Sequence, residues 1–507
     1  MIRQLLVLLL IGFSLGFRLF YVSHFNFAFT IDQARDMLEI RKIAVDHHLV
    51  MIGPTTSING VYLGPFWYYF NLPAFLLSHG DPTSLVLWGV ISYHLAVLIF
   101  WYVHKKTNPD LAIIGTFLLL VSPRLTGALS YSFNANAAPT FVILCLVLLE
   151  LVLKTKKPLL ALILGFLIGF SFQIEAAFCI LLLPLAIYWF LKDRVHFLRP
   201  LAVGFVVTLI PQIAFEIKHR FLMTKIFFAE FAGQGNILGE KLPLGQRFLD
   251  RYHRYLGDLY SSLPISQLVI WLLLLCLILI IFQKTGQKLA QLSVSLVLLS
   301  IPFYLIFPQI LKPWYTISLA VPFVLIFAGG LSLLLSSHRL GFRLFALFLL
   351  TAMAVNSFTQ LSHQLEYKLT TRSADRASLF NQIKAVDGVY DQAKGTPFKV
   401  YDYSPSVYDF NYQYLFWWYG SKTYGYQPMT ITYADNVPPY LQSSPKYQTN
   451  IRSGDRPLIF LIEEGRPGFE DQQSTWRRQF SDLCKMGETE LVGNIVVEKL
   501  TACHEKK

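Results

Sequence analysis

The stretch "TIDQARDMLEIRKI", residues 30–43, sets two aspartates, Asp32 and Asp36, around an arginine, Arg35. If a helix begins near Ile31, then Asp32, Arg35, Asp36 and Glu39 share one face at helical spacing. A carboxylate beside a guanidinium suits group transfer: the carboxylate takes a proton from an acceptor, and the arginine neutralises a phosphate leaving group. The plainer account is a helix start, with Thr30 and Gln33 forming a capping box and both aspartates favouring the positive end of the helix dipole. That account explains a helix. It does not explain why these charges directly follow the first apolar run, where a membrane surface makes charge costly.

The elements that must position them are mostly apolar. Of 507 residues 54% are hydrophobic and 15% charged, against roughly 25% charged in ordinary soluble domains. The chain is therefore an integral membrane protein. Its formal charge of +12 points to topology and to no nucleic acid, because the basic residues concentrate in short loops between apolar runs. A spanning helix needs about 20 mostly apolar residues. On that criterion spans are expected near 4–22, 83–103, 110–122, 138–153, 158–174, 176–191, 200–215, 263–283, 289–306, 314–335 and 341–357. The first lacks a small-x-small cleavage site and reads as an uncleaved membrane helix.

Arg3 falls on one side with Lys105, Lys106, Lys154, Lys156, Lys157, Lys192, Arg194, Arg199, Lys284, Lys288, Arg339 and Arg343. The positive-inside rule makes that side cytoplasmic. The expected architecture is a polytopic α-helical membrane protein of about eleven spans, N-terminus inside. The run 64–80, "GPFWYYFNLPAFLLSHG", would invert every later loop if it crossed, so it reads as a juxtamembrane helix in the outer interface. Two long outer segments result, 24–82 and 216–262. The membrane region is expected over 1–357, and 358–507 as an extracytoplasmic α/β domain, with strands at "PFKVYDY" and "PLIFLIEE" and helices at "ADRASLFNQIKAV" and "TWRRQFSDL".

Cys145, Cys179 and Cys276 lie in apolar runs as small hydrophobes. Cys484 and Cys503 lie in the outer tail, where a disulfide is open. No metal-ligand spacing is visible, and the expectation is no metal and no cofactor. Other polar residues gather on the outer side: Arg124, Asn134 and Asn136 in "SPRLTGALSYSFNANAAP", Glu175 between two runs, Lys218, His219 and Arg220 in "FEIKHR", and Lys312 and Tyr315 in "LKPWYT". The basic ones attract an anionic phosphate, or anchor helices at the interface. The asparagines equally suit a turn, and His94 an interhelical hydrogen bond.

The order of these segments resembles the GT-C membrane glycosyltransferases. The group in question is family 39, which includes protein O-mannosyltransferases and lipid A aminoarabinose transferases, with their uncharacterised bacterial branch. The resemblance rests on "FRLFYV" ending the first helix, "DQAR" in the outer loop, "IGPTTSINGVYLGPFWYY", "FEIKHRFLMTK" and "LKPWYTISLAVPF". It covers about 360 residues and not the tail. It implies a sugar taken from a polyprenyl-phosphate donor and passed, with inversion, to a protein, lipid or glycan acceptor on the outer face. It maps the catalytic acid onto Asp32. Many members have Asp-Glu there, whereas Gln33 follows Asp32 here, so a second carboxylate comes from elsewhere, with Asp36 the candidate. Arg35, Lys218, Arg220, Lys312 and Tyr315 are then donor-phosphate candidates.

Two other classes compete. A surface-polysaccharide polymerase or ligase with a lipid-pyrophosphate donor tends to carry its large outer loop late in the chain. A transporter or lipid flippase calls for mid-membrane charges, interrupted helices and often paired halves. Here the charges sit mainly at helix ends and no repeat is visible.

Overall fold

The computed structural model describes residues 2–23, 25–231, 241–265, 269–282, 287–308, 310–370, 378–404, 409–431 and 458–503. The chain divides into two compact units. One comprises Met1–Leu19, His48–Pro73 and Leu85–Ser362; the other comprises Phe20–His47, Ala74–Ser84 and His363–Lys507.

The first unit is a bundle of apolar helices, and each expected span contains helix among the described residues. Among the described residues five helices are long and apolar enough to cross a membrane: Thr83–His104, Asn134–Thr155, Lys288–Ile306, Ile317–Leu335 and Leu340–His363. Shorter apolar helices cover Gln4–Phe20, Pro109–Val121, Pro158–Ile174, Ala176–Lys192 and Val269–Ile280. The expected span 200–215 is broken: Leu198–Thr208 and Ile210–Lys218 meet at 55°. Pro211, in the first turn of the second piece, offers no N–H to the preceding turn and favours the bend. The run 64–80 forms a helix, Phe66–Ser78, of 13 residues. At 1.5 Å per residue it reaches about 20 Å, short of a hydrocarbon core of about 30 Å.

Packing in this unit depends on small residues where helices touch. A Cβ on Gly165 would sit 2.2 Å from the Leu201 carbonyl oxygen, and one on Gly204 2.2 Å from that of Leu162. Backbones this close need glycine, in a membrane helix that carries Gly165 and Gly169 four apart. The buried His94 finds a partner on another helix. His94 bonds Ser14 Oγ at 3.0 Å through Nε2 and the Val90 carbonyl at 2.8 Å through Nδ1.

The second unit carries a mixed sheet. Its strands are β1 (Phe398–Tyr403), β2 (Thr430–Ile431), β3 (Leu458–Glu463), β4 (Leu483–Lys485), β5 (Glu490–Val492) and β6 (Ile495–Ala502). The order is β2-β1-β3-β6-β4, with β5 also on β6; β1 runs parallel to β2 and β3, and β6 is antiparallel to β3, β4 and β5. The expected strands are β1 and β3. The expected first helix is Leu379–Ala393, capped by Ser378 Oγ on the Asn381 N–H; its leading residues 374–377 lie outside the described residues. The expected second is Glu470–Arg477, ending in a 3-10 turn, Arg478–Phe480. Tyr403, Leu461, Trp476, Phe480 and Leu500 form an apolar core on the sheet. Arg477 bridges Glu463 on β3 and Glu498 on β6. Cys484 and Cys503 are joined in a disulfide with Cα atoms 4.9 Å apart, tying β4 to the end of β6.

The end of β1 carries a buried acidic group. Asp402, near the end of β1, is fully buried, and its carboxylate oxygens meet no hydrogen-bond partner among the described residues beyond its own backbone. Burial first, then the charges of Asp409 and Glu464, hold its carboxyl well above the usual range. The folded protein keeps a proton that the unfolded chain releases near its ordinary value of 3.8, so this stability is full below that value and is lost as pH rises towards the folded pKa. Asp402→Asn is expected to flatten the fall in melting temperature between pH 5 and pH 8. An equally steep fall in the variant would assign it to other groups.

Candidate active site

The helix Ile31–Ala44 belongs to the second unit and is capped as its sequence suggests, Thr30 Oγ accepting from the Gln33 N–H at 3.4 Å. The Gln33 side chain does not close the box: its Nε2 donates to the Pro82 carbonyl at 3.1 Å and ties the helix to the chain ahead of Thr83–His104. The tail supplies further ties within the same unit. Asn411 Nδ2 donates to the Phe29 carbonyl at 2.6 Å, the Leu379 N–H to that of Phe27 at 3.0 Å, and Arg41 lies 4.8 Å over the Trp417 ring.

On this helix Asp32, Arg35 and Asp36 converge. Arg35 donates through Nε and Nη2 to Asp36 Oδ1, at 3.1 and 2.8 Å, and through Nη1 to Asp32 Oδ1 at 2.9 Å. Asp36 is 1% exposed and Asp32 40% exposed at the side chain. One carboxylate thus anchors the guanidinium from inside while the other reaches the surface, and a fixed charged hydrogen bond orients it. Glu39, on the same face, pairs instead with Lys42.

The remaining candidates belong to the first unit. Five of them gather near the turn 311–316. Arg124 Nη2 reaches the Pro313 carbonyl at 2.6 Å and Asp258 Oδ1 at 2.9 Å. Lys312 is exposed, and the Tyr315 hydroxyl bonds Ser57 Oγ. Asn134 Nδ2 donates to the Ile174 carbonyl at 2.7 Å, beside Glu175, whose charge is felt at Tyr315. Glu175 caps the next helical turn, Oε1 and Oε2 accepting from the Ala177 and Phe178 N–H groups, each at 2.9 Å. Asn136 donates to the Tyr131 carbonyl at 3.3 Å, satisfying backbone as a turn asparagine does.

Lys218, His219 and Arg220 are exposed at a corner, where Arg220 and Phe221 take positive φ of 55° and 60°. Glu216 fixes that corner by accepting from the Met223 and Thr224 N–H groups at 2.9 and 3.0 Å. The sequence reading passed over Asp258. Its signal was present: Arg247, Asp250, Arg251 and Asp258 recur at helical spacing within "QRFLDRYHRYLGD". Among the described residues no three His, Cys, Asp or Glu side chains are grouped to hold a metal.

No family model matches the sequence, and no curated protein does. Solved structures do. The chain is similar to ArnT from Cupriavidus metallidurans bound to undecaprenyl phosphate, with a TM-score of 0.61 at 10% identity over 97% of both chains. It is similar to the apo state of the same enzyme, with a TM-score of 0.62 at 11% identity over 98% of both chains. The chain has a GT-C glycosyltransferase fold. The GT-C likeness extends through the tail, which the sequence resemblance did not cover. It agrees with the apolar helices of the first unit and the strand-bearing end of the chain in describing a polytopic membrane protein.

Proposed function

We propose that the protein is an inverting glycosyltransferase that moves a sugar from a polyprenyl-phosphate donor to an acceptor on the outer face of a plasma membrane. The observation that carries this reading is the Asp32–Arg35–Asp36 arrangement on a chain of GT-C fold. Asp32, the exposed carboxylate, takes the proton of the acceptor hydroxyl. That oxygen forms its bond to the anomeric carbon as the bond from carbon to phosphate oxygen breaks, and polyprenyl phosphate leaves with the electron pair. Arg35 neutralises the leaving phosphate, and the buried Asp36 is its anchor rather than a second base. Lys312 and Tyr315, with Lys218 and Arg220, are the further phosphate contacts of the proposal. Undecaprenyl phosphate, bound in the ArnT structure, supplies the first carrier to try.

The spans number about eleven, with the N-terminus inside. The membrane region runs over 1–357 and the outer domain over 358–507; the latter, besides meeting the acceptor, holds the Asp32 helix in place. The test is donor cleavage by purified protein in lipid nanodiscs, offered a panel of polyprenyl-phosphate sugars and acceptors. Acceptor-dependent release of polyprenyl phosphate supports the reading and names the sugar. Release only from lipid-pyrophosphate sugars would replace it with the polymerase or ligase reading.

A further inference from the structure

The helix Leu244–Ser262 has two unlike faces. Leu244, Phe248, Leu249 and Tyr252 are 71%, 62%, 54% and 53% exposed, an apolar side suited to a bilayer interface. Much of its polar side engages the segment 304–316, while Tyr255 bonds Ser300 and Asp258 pairs with Arg124. Arg247 Nη1 donates to the Leu305 carbonyl at 3.0 Å, and Arg251 donates to those of Tyr304, through Nε at 3.0 Å, and Phe307, through Nη2 at 2.6 Å. These carbonyls end the helix Lys288–Ile306, where the last four lack helical partners. Capping alone accounts for that much.

The remaining bonds go beyond a cap and into the turn. Asp250 Oδ2 accepts from the Leu311 N–H at 3.3 Å. Asp258, 2% exposed, grips Arg124, which in turn donates to the Pro313 carbonyl. Tyr304, whose carbonyl Arg251 holds, donates its hydroxyl to the Tyr315 carbonyl at 2.6 Å. The turn that presents Lys312 and Tyr315 is therefore tied at 311, 313 and 315, each time to this helix or to a residue it grips.

We propose that the helix Leu244–Ser262 is a clamp on the turn 311–316, with Asp258 and Arg124 as positioning residues for Lys312 and Tyr315. Their role in activity rests on reading that turn as a donor-phosphate contact. The groups facing the Asp258 carboxyl include Arg124, Thr316 and Tyr304 from other elements and Arg254 and Tyr255 from its own helix. Burial, outweighing Arg124, pushes Asp258 up to about 6, so the clamped state favours the protonated carboxyl and loses stability as pH rises through that value.

The experiment is amide hydrogen exchange on the full chain in nanodiscs, comparing wild type with Asp258→Asn and Arg124→Lys. In both variants exchange over 310–316 is expected to rise about tenfold while other helices stay unchanged. In the wild type, protection over 310–316, corrected for the intrinsic pH dependence of amide exchange, is expected to fall as pH rises from 5.5 to 7.5, and Asp258→Asn to lose that dependence. Unchanged exchange over 310–316 in both variants, or a rise spread over the whole unit, overturns the clamp. Binding of undecaprenyl phosphate to Lys312→Ala separates the two ideas. If that variant binds as wild type does while the exchange results hold, the clamp stands and the phosphate role of the turn falls.

Discussion

Asp32→Asn is expected to cut acceptor-dependent release of polyprenyl phosphate by about 10²–10⁴, the usual worth of a positioned general base. Donor binding should change little. The amide keeps the shape and an oxygen for Arg35, but it cannot take up the acceptor proton. The same experiment on Asp36→Asn separates the two carboxylates. Asp36 is buried and accepts two hydrogen bonds from Arg35, so its loss should weaken donor binding as well as turnover, through a mispositioned guanidinium. If release by a folded Asp32→Asn persists undiminished, Asp32 leaves the mechanism. If Asp36→Asn is the silent one, the anchoring role goes.

Trp476→Ala should cost about 3–5 kcal/mol, the usual cost of emptying a buried aromatic site. The ring is 1% exposed and packs on Tyr403 at 5.5 Å and Phe480 at 5.0 Å between centroids. Against a typical domain stability of about 5–15 kcal/mol, that is a large share. The helix Ile31–Ala44 lies in the same unit, so the loss should reach Asp32 as well as the sheet. Denaturant unfolding of the full chain, followed by hydrogen exchange in 31–44 and in β1, reads both. A large fall in the stability of β1 that leaves 31–44 as protected as before would show that the helix does not depend on the sheet.

The apolar architecture was legible because a bilayer imposes a simple length rule, and each expected run contains helix among the described residues. The break at Leu209 was less visible, since apolar residues continue through it and Pro211 alone marks the bend. In the tail β1 and β3 could be read from short, buried, β-branched and aromatic runs. The segment "FNYQYLFWWYG" could not, because aromatics at nearly every position leave no period to separate helix from strand. The Asp32–Arg35–Asp36 group was visible as spacing, but its asymmetry was not. Which aspartate is buried depends on the packing around the helix, which its own sequence does not show. Gln33 shows the same limit: its neighbours suggest a capping box, and its actual partner is the Pro82 carbonyl.

The bond from Asn411 to the Phe29 carbonyl closes a separation of 382 residues. During synthesis Asp32 leaves the ribosome among the first segments, while the strands and the Asn411 helix that share its unit come last. Interactions of such long range form slowly, since a large loop must close before they repay it. The acidic helix therefore waits, incompletely held, until translation is nearly finished. A chain cut short before Asn411 would carry every candidate site residue and still lack the support that fixes three of them, so premature termination should yield inserted but inactive protein.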